Sequence, residues 1–120
     1  MNRDVAVWID HKEAVIAAIA GETETTSRVE SKVEHGGGAR PEDQRDRRFA
    51  NHLRTYYDSV ISHIKDATGI LVLGPGEAKH EFEKRLREEG LGERIVGVET
   101  TDKLTDHQVA AKARERFTKN

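Results

Sequence analysis

The stretch Gly69-Ile-Leu-Val-Leu-Gly74 constrains the fold more than any other part of the chain. Its apolar residues run without a polar interruption and are closed off by Pro75-Gly76. A strand with one wet face alternates, whereas a strand covered on both faces reads as a continuous apolar run. The segment is therefore expected at the centre of a sheet, turning sharply into a helix that carries Ala78, Phe82 and Leu86 and stops at Gly90.

The flanking sequence supplies the rest of that sheet. Val5-Ala-Val-Trp-Ile9 and Ala14-Val-Ile-Ala-Ala-Ile-Ala20 are short runs rich in β-branched residues, and the polar tetrad Asp10-His-Lys-Glu13 between them predicts a hairpin. A second break, Gly21-Glu22, leads through a threonine-rich stretch from Thr23. There Val29, Ser31 and Val33 alternate with Arg28, Glu30, Lys32 and Glu34, as in a half-exposed third strand. Phe49, Leu53, Tyr56, Tyr57, Val60, Ile61 and Ile64 recur at helical spacing from about Pro41 to Lys65. Arg94-Ile-Val-Gly-Val98 reads as a fifth strand. Thr105-Asp-His-Gln108 is a capping-box start to a last helix carrying Val109, Ala113 and Phe117. The order βββαβαβα gives an α/β fold. It has a five-stranded mixed sheet whose first three strands are antiparallel, and helices on both faces, because parallel connections need crossovers. This is the ribonuclease-H-like, three-layer topology.

The 120 residues suit one domain, 1–120. Charged residues make up 35% of the chain against roughly 25% in ordinary globular proteins, yet the net charge is only −2, so bulk charge selects no partner. With no cysteine there is no disulfide framework or thiolate metal site. The start Met1-Asn-Arg-Asp-Val-Ala-Val lacks an apolar signal core, and no stretch approaches the roughly 20 apolar residues that cross a bilayer, so no membrane partner and a cytoplasmic location are expected.

Function is expected at Glu34-His-Gly-Gly-Gly-Ala-Arg-Pro41 and the basic helix start behind it. Three successive glycines carry a large entropic cost on ordering and lie among charged residues without apolar anchors. They mark a mobile or closely approached loop over 34–42. Arg40, Arg45, Arg47, Arg48 and Arg54 follow, and guanidinium forks match phosphate oxygens. Glu42, Asp43 and Asp46 are interspersed, so a solvated helix face held by ion pairs three or four residues apart is the competing reading. Tyr56 and Tyr57 suit base stacking, but their place in the apolar stripe favours a core role for at least one of them.

The chain resembles the middle domain of the archaeal and eukaryotic peptide-chain release factor and of Pelota, together with short bacterial translational machinery proteins. The resemblance rests on Val5-Ala-Val-Trp-Ile-Asp-His-Lys-Glu-Ala14, on the glycine loop feeding an arginine-bearing helix, on Gly69-Ile-Leu-Val-Leu-Gly-Pro-Gly-Glu-Ala-Lys79, and on Ile95-Val-Gly-Val-Glu-Thr-Thr-Asp-Lys-Leu-Thr-Asp-His-Gln-Val109. It spans roughly Val5 to Phe117. It implies a ribosome, rRNA or tRNA partner engaged through Gly36, Gly37, Gly38, Arg40, Arg45, Arg47 and Arg48. In the release factors a Gly-Gly-Gln loop helps position water for hydrolysis of peptidyl-tRNA. Here the position after the glycine pair is Gly38 or Ala39, and Gln44 lies several residues downstream. The expectation is a binding protein with no catalytic residue, no metal and no cofactor.

Two other classes fit the pattern less closely. Nucleases of the ribonuclease-H-like fold gather carboxylates around metal ions, and Asp10, Glu77 and Glu99 are the candidates, although turn and cap roles account for all three. Gly74-Pro75-Gly76 with Lys79 and His80 behind it could offer N–H groups to a phosphate, but a strand-to-helix turn wants glycine for steric reasons alone. His11, His35, His52, His63, His80 and His107 stand singly, without ligand spacing. A protein interaction module, including a homo-oligomer, would use the strand from Thr23 to Val33 as an exposed edge, its alternating charges guarding against promiscuous pairing.

Overall fold

A computed structural model of the chain describes residues 3–31 and 42–117, and of 42–50 the backbone alone. The glycine segment and its expected mobility lie outside the described residues, except that Glu42 opens a helix. The elements are β1 (Asp4–Ile9), β2 (Glu13–Ala20), β3 (Thr23–Glu30), α1 (Glu42–Ser62), β4 (Gly69–Gly74), α2 (Ala78–Glu88), β5 (Ile95–Thr100) and α3 (Asp106–Phe117), with a single 3-10 turn at Gly92–Arg94 before β5.

The five strands form one mixed sheet in the order β3-β2-β1-β4-β5. β1 pairs antiparallel with β2, and β2 with β3, whereas β1 and β4 run parallel, as do β4 and β5. This is the expected ribonuclease-H-like arrangement. The uninterrupted run in β4 has the expected cause, since every residue of the strand is buried. Val5, Val7 and Ile9 of β1 and Ile70 and Val72 of β4 face a core closed by Tyr56, Val60 and Ile61 of α1 and Phe82 and Leu86 of α2. Ala6, Trp8, Leu71 and Leu73 face a second core closed by Val109, Ala110 and Ala113 of α3. Alanines on both sides of that second core let α3 lie close to the sheet, and Trp8, buried among them, places its indole N–H 3.1 Å from the Asp102 carbonyl, which removes the cost of burying an unpaired donor.

Local chemistry sets the boundaries. Gly21, with φ of +62°, takes the first position of the two-residue β2–β3 turn, a conformation in which an L side chain would be strained. Gly90, with φ of +81°, ends the turn after α2. The capping box forms as expected: Gln108 N donates to Thr105 Oγ1 at 3.1 Å, and Thr105 N donates to Gln108 Oε1 at 2.8 Å.

Three boundaries differ from the sequence reading. β3 begins at Thr23, as expected, but ends at Glu30; Ser31 lies beyond it, and only Val29 of the strand packs against the core. The β2 ladder sets its register, so the alternation over Val29 to Val33 is only partly a pairing signal. α1 ends at Ser62, yet Ile64 and Ala67 remain buried in the turn beyond it, which is why the apolar stripe runs on past the helix. β5 continues to Thr100 because its parallel pairing with β4 extends to Gly74.

Candidate functional site

The site region is the end of the sheet where β1, β4 and β5 finish. Ser31 N donates to the Lys12 carbonyl at 2.8 Å, so the chain leaves β3 beside the β1–β2 turn. It returns as α1, which leads to the start of β4 and therefore runs antiparallel to it. The 21 residues of α1 span about 31 Å at 1.5 Å per residue. The six of β4 span about 20 Å. The helix is thus about 11 Å longer than the strand. Leu53, 7% exposed, is the first residue of α1 with a described side chain to be buried, and Asn51, His52, Arg54 and Thr55 around it are exposed. The N-terminal turns of α1 accordingly stand past the end of the sheet.

A polar network fixes the base of that projection. Tyr56 Oη donates to the Asp10 carbonyl at 3.0 Å, and Tyr57 Oη donates to Glu81 Oε1 at 2.7 Å. His11 Nε2 lies 3.1 Å from the same Glu81 oxygen. The Asp10 carboxylate accepts the N–H groups of Lys12 and Glu13, both at 2.8 Å, and so holds the β1–β2 turn. The Tyr57 ring also packs on Phe82, with centroids 5.9 Å apart. Burial pushes both phenols above their ordinary range, reinforced by the charge of Asp10 at Tyr56 and by the bond to Glu81 at Tyr57. Both tyrosines therefore remain hydrogen-bond donors, and α1 is tied at one level to the β1–β2 turn and to α2.

A second charged cluster lines the other face of this end. Arg28 of β3 lies 2.6 Å from Glu13 Oε1 and 2.6 Å from Asp106 Oδ1, and Lys103 Nζ is 3.7 Å from Glu13. These pairs lie at the surface, where solvent and salt screen them. Their effect is to orient the edge strand against the start of α3.

The residues singled out in the sequence separate as follows. Gly36, Gly37, Gly38 and Arg40 lie outside the described residues. Arg45, Arg47 and Arg48 fall in the first two turns of α1, on the projecting part. Tyr56 and Tyr57, 4% and 5% exposed, are both core residues, which removes them as stacking platforms. Asp10 is a turn acceptor, Glu77 precedes α2 with no side-chain cap bond, and Glu99 lies 3.8 Å from Lys112. Among the described residues no group of three or more His, Asp or Glu side chains is placed to hold a metal ion. Lys79, 4% exposed, donates to the Gly76 carbonyl at 2.7 Å and braces the Gly74-Pro75-Gly76 turn from within. Sequence reasoning does not find the Glu81 and His11 network, because nothing in a helix pattern or a turn tetrad indicates that they share a partner.

No protein-family model matches the sequence, and no curated protein matches it. Solved structures do. The chain is similar to the Pelota protein of Thermoplasma acidophilum (TM-score 0.64, 20% identity, covering 97% of this chain and 33% of that one). It is also similar to an archaeal translation termination factor, aRF1 (TM-score 0.65, 16% identity, 99% and 35%). A third likeness is to Dom34 of S. cerevisiae, described as a translation termination-like factor involved in RNA quality control pathways (TM-score 0.54, 12% identity, 98% and 32%). The chain spans about a third of the length of these structures. What they share with it is the fold: the five-stranded mixed sheet with three helices. Among the described residues no helix is long and apolar enough to cross a membrane.

Proposed function

We propose that this chain is a noncatalytic RNA- or ribosome-binding unit of the translation termination or rescue kind. Its contact surface is the glycine segment Gly36 to Gly38 with Arg40, and the projecting turns of α1 that carry Arg45, Arg47 and Arg48. One observation carries the reading: α1 is about 11 Å longer than β4, and Tyr56 is already level with Asp10 beyond the end of β1, so the arginines lie on turns that stand past the sheet. A helix whose only task was to cover the sheet would stop with it. The fold likeness to proteins named for translation termination and RNA quality control supports this reading, in which the partner is ribosomal or transfer RNA. A cytoplasmic location accompanies that partner.

Phosphate binding follows from charge and geometry. Guanidinium groups match phosphate oxygens in pairs, and glycines allow a backbone to approach a crowded surface closely. Hydrolysis does not follow, because neither Gly38 nor Ala39 has a side chain able to orient water.

The test is ribosome co-sedimentation together with binding to ribosomal and transfer RNA across a salt series. Replacing Arg45, Arg47 and Arg48 together by Ala should weaken binding and reduce the salt slope by about one unit for each phosphate that is no longer neutralised. Gly37→Val should weaken it without changing the slope. Binding that is undiminished in both variants, or hydrolysis of peptidyl-tRNA by the unmodified chain, refutes the proposal.

A further inference from the structure

The two edges of the sheet are built differently. β5 is short, its pairing with β4 shifts register at Ile70/Leu71, and the Arg116 guanidinium donates to the Val96 carbonyl. A bulge and a charged side chain at the rim are the usual means by which a protein keeps an edge from pairing. β3 has neither. It runs for eight residues in unbroken register with β2, contains no proline or lysine, and among the described residues pairs with β2 alone. Ser31 N, bonded to Lys12 O, shows that the odd-numbered residues direct their backbone groups toward β2. By the alternation of an antiparallel ladder, Glu24, Thr26, Arg28 and Glu30 present theirs outward.

The charges on that outward row are arranged symmetrically about Thr26, with Glu24 two positions before it and Arg28 two positions after. We infer that β3 is a self-pairing edge. Two copies of the chain join antiparallel about a two-fold axis at Thr26, giving a continuous ten-stranded sheet in which Glu24 of each copy stands beside Arg28 of the other. In this register the outward backbone groups of Glu24, Thr26 and Arg28 all find partners. Centring the pair on Glu24 or on Arg28 instead sets two like charges opposite each other within the ladder, which disfavours those registers, whereas about Thr26 the like pair, Glu30 and Glu22, falls at the β2–β3 turn beyond the strand. The alternating charges that exclude unrelated strands therefore favour a second copy, with Glu24 and Arg28 paired across the axis. Both heads are already held in place, Glu24 by Arg114 and Arg28 by Glu13 and Asp106, so little side-chain freedom is lost on pairing. The threonines and serine between them are β-formers that suit a new ladder.

The experiment uses the full chain without nucleic acid, so its outcome is independent of RNA binding. Sedimentation velocity over tens to hundreds of micromolar should show a concentration-dependent dimer. Thr26→Pro removes an outward N–H that β2 does not use, and should raise the dimer dissociation constant about tenfold or more while leaving the thermal transition nearly unchanged. The chain has no cysteine, so a single introduced one reports the register. The Thr26 Cα atoms would stand about 5.5 Å apart, within disulfide reach. Those of Thr23 would stand about 20 Å apart. Thr26→Cys should therefore cross-link on mild oxidation and Thr23→Cys should not, and this pair decides the matter even if the proline variant fails to fold. A monomer at every concentration overturns the inference. So does a dimer that Thr26→Cys does not trap, or a strand of another protein seated on β3 in its place.

Discussion

Gly74→Ala separates a steric requirement for glycine from a functional one in the Gly74-Pro75-Gly76 turn. A Cβ built on Gly74 would clash with the Ile9 carbonyl oxygen and lie 3.6 Å from Lys79 Cβ, closer to the first than real Cβ atoms come. Ile9 belongs to β1, held by β2 on one side and β4 on the other, so its carbonyl cannot swing aside without shifting a ladder. Overpacking of this kind costs about 1–3 kcal/mol, set against a gain of up to about 1 kcal/mol because alanine restricts the unfolded chain. Because the contact is with a fixed backbone carbonyl, the upper end of that cost applies, and a net loss of about 2 kcal/mol is expected. Unfolding entropy of about 2.1 cal/mol/K per residue over 120 residues is roughly 250 cal/mol/K, so the melting temperature should fall by roughly 8 °C. Gly76→Ala is the control, since a Cβ there meets nothing within 4 Å and the residue is not among the positive-φ glycines. It should be neutral or should raise the melting temperature by a few degrees. Both variants are read by thermal unfolding followed by circular dichroism. A Gly74→Ala protein that melts within about 2 °C of the parent, or a control that falls equally, would show that steric crowding does not explain the glycine.

Tyr56 and Tyr57 are protonated in the fold well above the pH at which unfolded tyrosines ionise, near 10. Their stabilisation is therefore complete below about pH 10 and is lost as pH rises toward the folded values, at up to about 2.7 kcal/mol per pH unit for the pair. Denaturant titrations at rising pH should show this alkaline loss, and the double variant Tyr56→Phe, Tyr57→Phe should flatten it; an unchanged slope would place the loss elsewhere. Thr105→Ala removes the acceptor for Gln108 N and should cost about 1 kcal/mol in urea unfolding, whereas Thr105→Ser should recover most of it. A cost shared equally by both substitutions would mean that the cap bond contributes little.

Much of the fold is legible in the sequence because burial leaves a periodic trace. Two covered faces give β4 its continuous apolar run, and α1 declares itself through the stripe Leu53, Tyr56, Tyr57, Val60, Ile61 and Ile64. The Thr105 and Gln108 pair is legible because a capping box is local, its members three residues apart. β3 is legible only as an edge: with little buried on either face, its end depends on the β2 ladder, and the alternation places that end too late.

The glycine run and the arginines can likewise be read from the sequence, as can the loss of the glutamine. The projection of α1 past the sheet cannot, because it depends on the length of a helix relative to a strand it packs against. Nor can the partners of Tyr56 and Tyr57, which lie 46 and 24 positions away along the chain. Periodicity tells which side of an element is dry, since that follows from backbone geometry within one turn or one pleat. It does not tell which distant carbonyl or carboxylate will meet a side chain there. Only the packing of α1 on the sheet and α2 brings Asp10, Glu81 and His11 to the base of the projecting helix, because non-local contacts are set by how whole faces fit together.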